Sequence, residues 1–471
     1  MLFPTITFAV FFLFVLPLHW ITRPFPLQWR FFMLAAGYVF YGAADWKFCF
    51  LLAGSTLLNH AFGQAISQST SQQRQKFFLT IATVCNLGIL AWFKYYGFFA
   101  SSFVNMFNTV GIDLDFSITE TLLPIGISFY TFQGMSYVID IYRGTTRPAS
   151  LLDFAVYLSF FPQIVAGPVV RASELLPQFG RRPDPRRLDG ARAFWLIAAG
   201  LAKKLVLADF LATGIVEPVF STPEAHSAID VLVGILAYAV QIYCDFSAYT
   251  DIAIGLALLL GFKLPENFDA PYTSVSLQDF WRRWHMTLSR WLRDYLYIPL
   301  GGSRDGEFMT RRNLFLTMLL GGLWHGAAWN FVIWGAWHGG MLAAERERAM
   351  RQTSKQLDTP RQRAQARLRT FVLVCIGWVF FRAESLGSVF ALFWRLVTGW
   401  TTQTHLVTPG VLLAVAIGIG AQYVRKEKIA YVLRWFSHFP TWAQGAALGV
   451  VLLFIDTLAA QGVANFIYFR F

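Results

Sequence analysis

Charge is scarce in this chain. Of its 471 residues only 14% are Asp, Glu, Lys or Arg, where a soluble domain carries about 25%. A cytosolic enzyme, a coiled coil and a disordered tail are excluded on that ground. Cysteine is scarce too. Cys49, Cys85, Cys244 and Cys375 lie far apart in apolar runs with no CxxC pair, which excludes a zinc or disulfide framework and leaves them as small core residues. There is no glycine-rich phosphate loop, no HExxH and no GxSxG, so NTPase, zincin and serine-hydrolase readings fall away. No internal repeat of the kind that inverted-repeat transporters show is evident, and no low-complexity tract or soluble appendage. We treat residues 1–471 as a single domain with a motif-bearing core at about 120–345.

What fills the chain instead is apolar. Hydrophobic residues make up 56%, with 47 Phe, 17 Trp and 17 Tyr, and the mean hydropathy is +0.47. One soluble core cannot hide that much apolar surface, so the surplus faces lipid and the fold class is an all-α polytopic membrane protein. Apolar runs succeed one another from 2–20 to 445–468. Several fall short of the ~20 residues a simple span needs and suit re-entrant or interfacial helices. Roughly ten to twelve transmembrane helices are expected on this basis. The first run lacks a basic leader and a small-x-small cleavage site, and reads as a retained span rather than a signal peptide.

The net charge is +12, and the basic residues collect in the polar gaps. Residues 171–192 hold Arg171, Arg181, Arg182, Arg186, Arg187 and Arg192, and residues 345–369 hold Arg346, Arg348, Lys355 and Arg361 among others. These gaps, and the basic, Trp-rich stretch 275–312, should be cytoplasmic. Membrane lipid is the implied partner. Nucleic acid is not, because no groove-reading or stacking module is visible.

An ionisable residue within a membrane run is a functional hypothesis by default, and histidine can exchange a proton near neutral pH. Of eight His, His19, His60, His226, His405 and His438 sit at run ends or in loops and read as interfacial or loop residues. His285, His325 and His338 fall in one segment rich in Gly and Trp. In GGLWHGAAWNFVIWGAWHGG (321–340) two WHG triplets lie thirteen residues apart, which on a straight helix puts the imidazoles on different faces. The glycine doublets permit close backbone approach or a break, and Asn330 adds a neutral hydrogen-bonding group. Two readings stand: a helix pinched around a tunnel, or a Trp/Gly packing motif with His as polar glue. The three histidines lack the close spacing and carboxylate company of a metal site, so no metal is expected.

Two further stretches carry polar chemistry. In FWRRWHMTLSRWLRDYLYIP (280–299), Arg282, Arg283, Arg290 and Arg293 alternate with Trp281, Trp284, Trp291 and Tyr295. The pattern reads as an amphipathic interfacial helix, or as a cradle for the phosphates of a donor, since guanidinium forks match phosphate geometry. In QIYCDFSAYTD (241–251), Asp245 with Tyr249 and Ser247 with Asp251 are i, i+4 pairs, able to bond on one helix face or to serve as a polar packing cluster between spans.

Taken together, the strings LPIGISFYTFQ (123–133), FFPQIVAGPVVR (160–171), YCDFSAYTDIAIGLALLLGF (243–262), PENFDAPY (265–272), DFWRRWHMTLSRWLRDYLYIPLGG (279–302) and RNLFLTMLLGGLWHGAAWNFVIWGAWHG (312–339) resemble the membrane-bound O-acyltransferase family. The likeness is to its bacterial branch, which serves alginate O-acetylation, peptidoglycan, cellulose and teichoic-acid D-alanylation, and it runs to about residue 385. It implies a helical ring around a tunnel in the bacterial inner membrane. It also implies acyl transfer from a cytoplasmic thioester to a hydroxyl, with no bound cofactor and acetyl-CoA as donor substrate. An extracytoplasmic partner acetyltransferase and a polysaccharide acceptor are implied as well. His325 matches the family's signature histidine and His285 the second histidine of this branch; His338 and Asn330 belong to the same motif, with Asp245 and Tyr249 as supporting groups. A neutral His325 would take the hydroxyl proton, and His285, Asn330 or backbone N–H groups would hold the developing oxyanion. Alginate or another exopolysaccharide is the first acceptor expected and peptidoglycan the second. The competing reading is a subunit that moves acyl groups or glycan without catalysis.

Overall fold

The computed structural model describes residues 1–113, 123–165, 167–351 and 359–458. The basic loop containing Lys355, residues 121 and 122 of one apolar run and the last run beyond 458 lie outside them. Among the described residues the chain is helical, with no strand. Among the described residues three helices are long and apolar enough to cross a membrane, Gln72–Thr109, Ala228–Leu259 and Pro360–Arg382, while Ile6–Thr22, Pro409–Tyr423 and Trp442–Leu458 are apolar but shorter. Large apolar side chains such as Leu13, Phe50 and Phe390 are about 70% exposed on these and neighbouring helices, as expected where lipid is the solvent.

The chain divides into two compact units, residues 1–190 with 256–265 and residues 191–255 with 266–471. In the first unit, Asn59 and Asn86 join helices Phe48–Gln68 and Gln72–Leu90 through reciprocal amide hydrogen bonds of 3.1 and 2.9 Å. Such polar contacts hold helices together where lipid removes the hydrophobic drive. Gly37 allows helix Pro26–Gly42 to approach the Ser159 carbonyl so closely that a Cβ would lie 2.2 Å from it. The position of His19 differs from the expectation. It is fully buried, accepts from Trp29 Nε1 at 3.1 Å and is ringed by Trp20, Trp29 and Phe262. Aromatics from its own helix, the next helix and the distant residue Phe262 enclose it, so it is a core residue and not an interfacial one.

The second unit is built around a helical hairpin, Gly306–His325 and Trp329–Arg351. A Cβ on Gly322 would lie 2.2 Å from the Phe331 carbonyl oxygen, one on Gly335 2.5 Å from that of Met318, and one on Gly339 2.9 Å from Phe315 Cα. Glycine at these three positions lets the two backbones touch, as small residues do at helix interfaces in membranes. The far end is tied by ion pairs Arg346–Glu307 and Arg311–Glu347, each at 2.7 Å. Helix Pro360–Arg382 packs against the hairpin. It begins at a reciprocal cap between Thr359 and Gln362, 3.2 Å in both directions, which satisfies two amides at the helix start. Trp337 Nε1 then donates to the Leu373 carbonyl at 2.9 Å. The segment 321–340 is therefore two antiparallel helices and not one, and the break falls at 326–328, between the glycine doublets.

Candidate active site

Every candidate site residue belongs to the second unit. The hairpin turn decides the geometry of the WHG pair. His325 is the last residue of its helix, and reversal of the chain brings Trp334 of the return helix 5.0 Å from its ring and 4.9 Å from that of His338. Two imidazoles that a straight helix would separate thus flank one indole. Phe381 closes on His325 at 5.2 Å and Trp281 on His338 at 5.2 Å. Asn330 at the turn donates Nδ2–H to the Ala383 carbonyl at 2.6 Å, which fastens the hairpin tip to the end of helix Pro360–Arg382.

His338 is fully buried, and neither ring nitrogen has a polar partner among the described residues. It is held by shape. A Cβ on Gly377 would lie 2.5 Å from His338 Nε2, so the glycine is what admits the ring. The indole N–H groups of Trp281 and Trp334 are likewise buried without an acceptor among the described residues. The surroundings of His338 are therefore aromatic and include buried indole N–H donors.

His285 is placed differently. Residues 280–299 do not form one amphipathic helix: a short helix Leu277–Trp281 ends, and His285 at φ +43° starts a second one, Met286–Leu292. The left-handed backbone at a non-glycine residue costs energy and persists only where the surroundings enforce it. Trp284 and Trp291 are buried, at 3% and 5% exposure, and so are not surface anchors. Trp284 packs against Trp378 at a tilt of 50°, with ring centres 4.8 Å apart. The His285 ring meets Phe246 edge-on at 4.7 Å and Trp324 at 6.3 Å, which sets it beside the residue that precedes His325.

The arginines of this stretch are partly committed. Arg283 pairs with Asp279 at 2.8 Å and Asp269 at 3.8 Å, and Arg293 with Asp294 at 2.6 Å. Arg282 is exposed, and Arg290 is half-buried.

Asp245 and Tyr249 lie buried on the long helix Ala228–Leu259. The neighbouring segment supplies two lysines that the sequence reading passed over. Lys204 Nζ reaches Asp245 at 2.9 Å and Asp209 at 2.7 Å, all three side chains at 3% exposure or less. Lys203 Nζ draws Ser247 and Asp251 together, at 2.8 and 2.5 Å. A π-helical turn at Ala202–Ala208 presents the adjacent lysines to this one helix, and such turns recur at functional positions. The signal was available as a Lys-Lys pair followed by Asp209 inside the apolar run 193–220.

The profile of the membrane-bound O-acyltransferase family matches residues 146–390, a span that contains every residue named in this section. Among the relatives, a protein described as a probable alginate O-acetylase from Pseudomonas putida is 43% identical over 468 residues, 93% of this chain and 94% of the relative. Its namesake from Pseudomonas aeruginosa is 43% identical over 82% of this chain and 73% of the relative. A peptidoglycan O-acetyltransferase from Helicobacter pylori is 36% identical over 77% and 72%. Match length and identity leave one conclusion: the chain belongs to the membrane-bound O-acyltransferase family and is an O-acyltransferase.

Proposed function

We propose that this enzyme moves acetyl from a cytoplasmic thioester, acetyl-CoA, toward hydroxyls of an extracytoplasmic polysaccharide of the alginate class. The observation that carries the reading is His325, buried at the tip of a glycine-welded hairpin between Trp334 and Phe381. The near full-length likeness to probable alginate O-acetylases supports the choice of acceptor. The family expectation of roughly ten to twelve crossings around a tunnel, in a bacterial inner membrane, belongs to the same reading. So does a partner protein that completes transfer on the far side.

The chemistry is direct acyl exchange. The hydroxyl oxygen attacks the thioester carbonyl as His325 takes the hydroxyl proton; the C–O bond forms, the C–S bond breaks, and the proton passes to the departing thiolate. The aromatic walls exclude water, which limits hydrolysis of the donor. Each donor to the developing oxyanion is typically worth ~3 kcal/mol, and the indole N–H groups of Trp281 and Trp334 are free of acceptors among the described residues. Asp245, Tyr249 and His338 support the site without touching the reacting atoms.

The test is base-labile acetate measured separately on secreted polysaccharide and on cell wall, with the native chain or His325→Ala at matched expression. Loss from the polysaccharide is the expected result. Loss from the wall alone would move the acceptor to peptidoglycan, the reading that the Helicobacter pylori relative favours. Unchanged acetate in both fractions would remove acetyl transfer to either glycan.

A further inference from the structure

The hydrogen bonds around His285 determine which of its nitrogens is protonated. Asn267 Oδ1 lies 3.2 Å from His285 Nδ1, 3.2 Å from the Thr287 amide nitrogen and 2.8 Å from Thr287 Oγ1. A backbone amide can only donate, so the Asn267 atom facing it is the carbonyl oxygen, and that oxygen can only accept. The amide orientation is thereby fixed by chemistry. His285 Nδ1 must then carry its hydrogen. In the neutral ring this leaves Nε2 with a lone pair and no hydrogen. Nε2 is buried without a polar partner among the described residues, in a side chain that is 1% exposed.

The backbone around His285 is shaped for the same end. Met286 N donates to the Asn267 carbonyl at 2.9 Å, so both the main chain and the side chain of Asn267 hold the turn in which His285 adopts φ +43°. Asn267 belongs to the string PENFDAPY (265–272), eighteen residues before the histidine that it orients.

We propose that Asn267 is a positioning residue which fixes His285 as its Nδ1–H tautomer, so that Nε2 receives an O–H hydrogen bond from the acyl acceptor. The inference rests on the acyltransfer reading above and corrects one expectation within it. Neutral His285 gives its one N–H to Asn267 and has none left for an oxyanion, so oxyanion stabilisation falls to other N–H groups. His285 stands on the hydroxyl side of the reaction.

The test begins with the intact protein, labelled with 15N-histidine in lipid, and needs no turnover. The His285 signals are assigned by their disappearance in His285→Gln. A one-bond N–H coupling at Nδ1 with an unprotonated Nε2 is the expected spectrum; a hydrogen on Nε2 would overturn the proposal outright. Asn267→Asp keeps an acceptor oxygen and should keep both the tautomer and kcat. Asn267→Leu removes it and should mix the tautomers and lower kcat tenfold or more with little change in the KM for donor, since a wrong tautomer costs about 10⁴ in a serine-protease triad. If Asn267→Leu does not fold, the native spectrum still decides. If Asn267→Leu folds and keeps the Nδ1–H signal, Asn267 does not set the tautomer and the proposal is wrong. Should acetyl transfer itself prove absent, the spectra still report the tautomer, and only the role of Nε2 toward a hydroxyl falls with that reading.

Discussion

His285 and His338 are both buried imidazoles of the same unit, yet they are placed by opposite means. His338 is gripped by shape, with Trp281 and Trp334 within 5.2 Å of its ring and the bare backbone of Gly377 against Nε2. His285 is gripped by hydrogen bonds, through one asparagine oxygen that also holds the Thr287 amide. Shape fixes where a ring lies but says nothing about its protons. A hydrogen bond fixes the tautomer, and a histidine that must accept a hydrogen bond from a hydroxyl needs that second kind of control. The difference separates a ring that fills space beside the chemistry from one prepared for it.

The shape-held side breaks most completely at the hairpin. Gly322→Ala places a methyl 2.2 Å from a carbonyl oxygen of the opposing helix, and backbone cannot rotate away as a side chain can. The cost should reach or exceed ~3 kcal/mol, the upper end for overpacking. We expect no folded protein in detergent, read by size-exclusion profile against the native chain. A monodisperse Gly322→Ala at native yield would mean that the helices do not touch there.

The hydrogen-bonded side has a buried charge beneath it. Asp245 precedes Phe246, the ring that packs on His285, and Lys204 binds both Asp245 and Asp209. Lys204→Met leaves two buried carboxylates without their cation. Breaking one partner out of such a cluster costs about 3–5 kcal/mol. Thermal unfolding followed by tryptophan fluorescence should show a large fall in Tm, and Lys204→Met combined with Asp209→Asn and Asp245→Asn should recover much of it. Equal Tm for the single and triple variants would show that charge is not what Lys204 contributes.

Gly377→Ala is a smaller perturbation. Its methyl would sit 2.5 Å from His338 Nε2, and a ring with no hydrogen bond among the described residues can tilt aside for about 1–3 kcal/mol. The comparison predicts reduced stability with His285 still in its native tautomer, seen in the same 15N-histidine spectrum. A change at His285 instead would show that the two modes of placement are coupled.

What the sequence revealed follows the same division. The membrane class, the helical content and the cluster of three histidines were readable because composition, glycine spacing and motif strings are local properties. The hairpin was half-readable: the glycines announced close packing or a break, but only the turn at 326–328 places His325 and His338 on either side of Trp334. The loop chemistry was not readable. Asn267 lies on a non-helical segment, and the Lys203–Lys204 pair, although visible ahead of Asp209 in an apolar run, gave no hint of the helix it meets. Each acts through a partner eighteen to forty-eight residues away, which no periodicity connects. Trp284 and Trp291 misled for the complementary reason, because basic neighbours gave buried indoles the look of a membrane-surface helix.

The arginines beside His285 supply the finest test, because the structure separates two that the sequence treats alike. Arg283 already answers two carboxylates, Asp279 and Asp269, so Arg283→Gln should loosen the 269–283 turn and lower stability without a specific effect on donor. Arg282 is exposed one position away and has charge to spare for a phosphate. An exposed charge pair is worth up to about 1 kcal/mol, so Arg282→Gln should raise the KM for acetyl-CoA by no more than about fivefold at low salt. Salt should shrink the difference, since exposed charges are screened within ~8 Å at physiological ionic strength. kcat should not move, because a phosphate held far from the thioester contributes equally to the ground state and the transition state. If Arg283→Gln raised KM and Arg282→Gln left it unchanged, the ion-paired arginine would be the one that binds donor. Its two carboxylates would then be placeholders that a phosphate displaces.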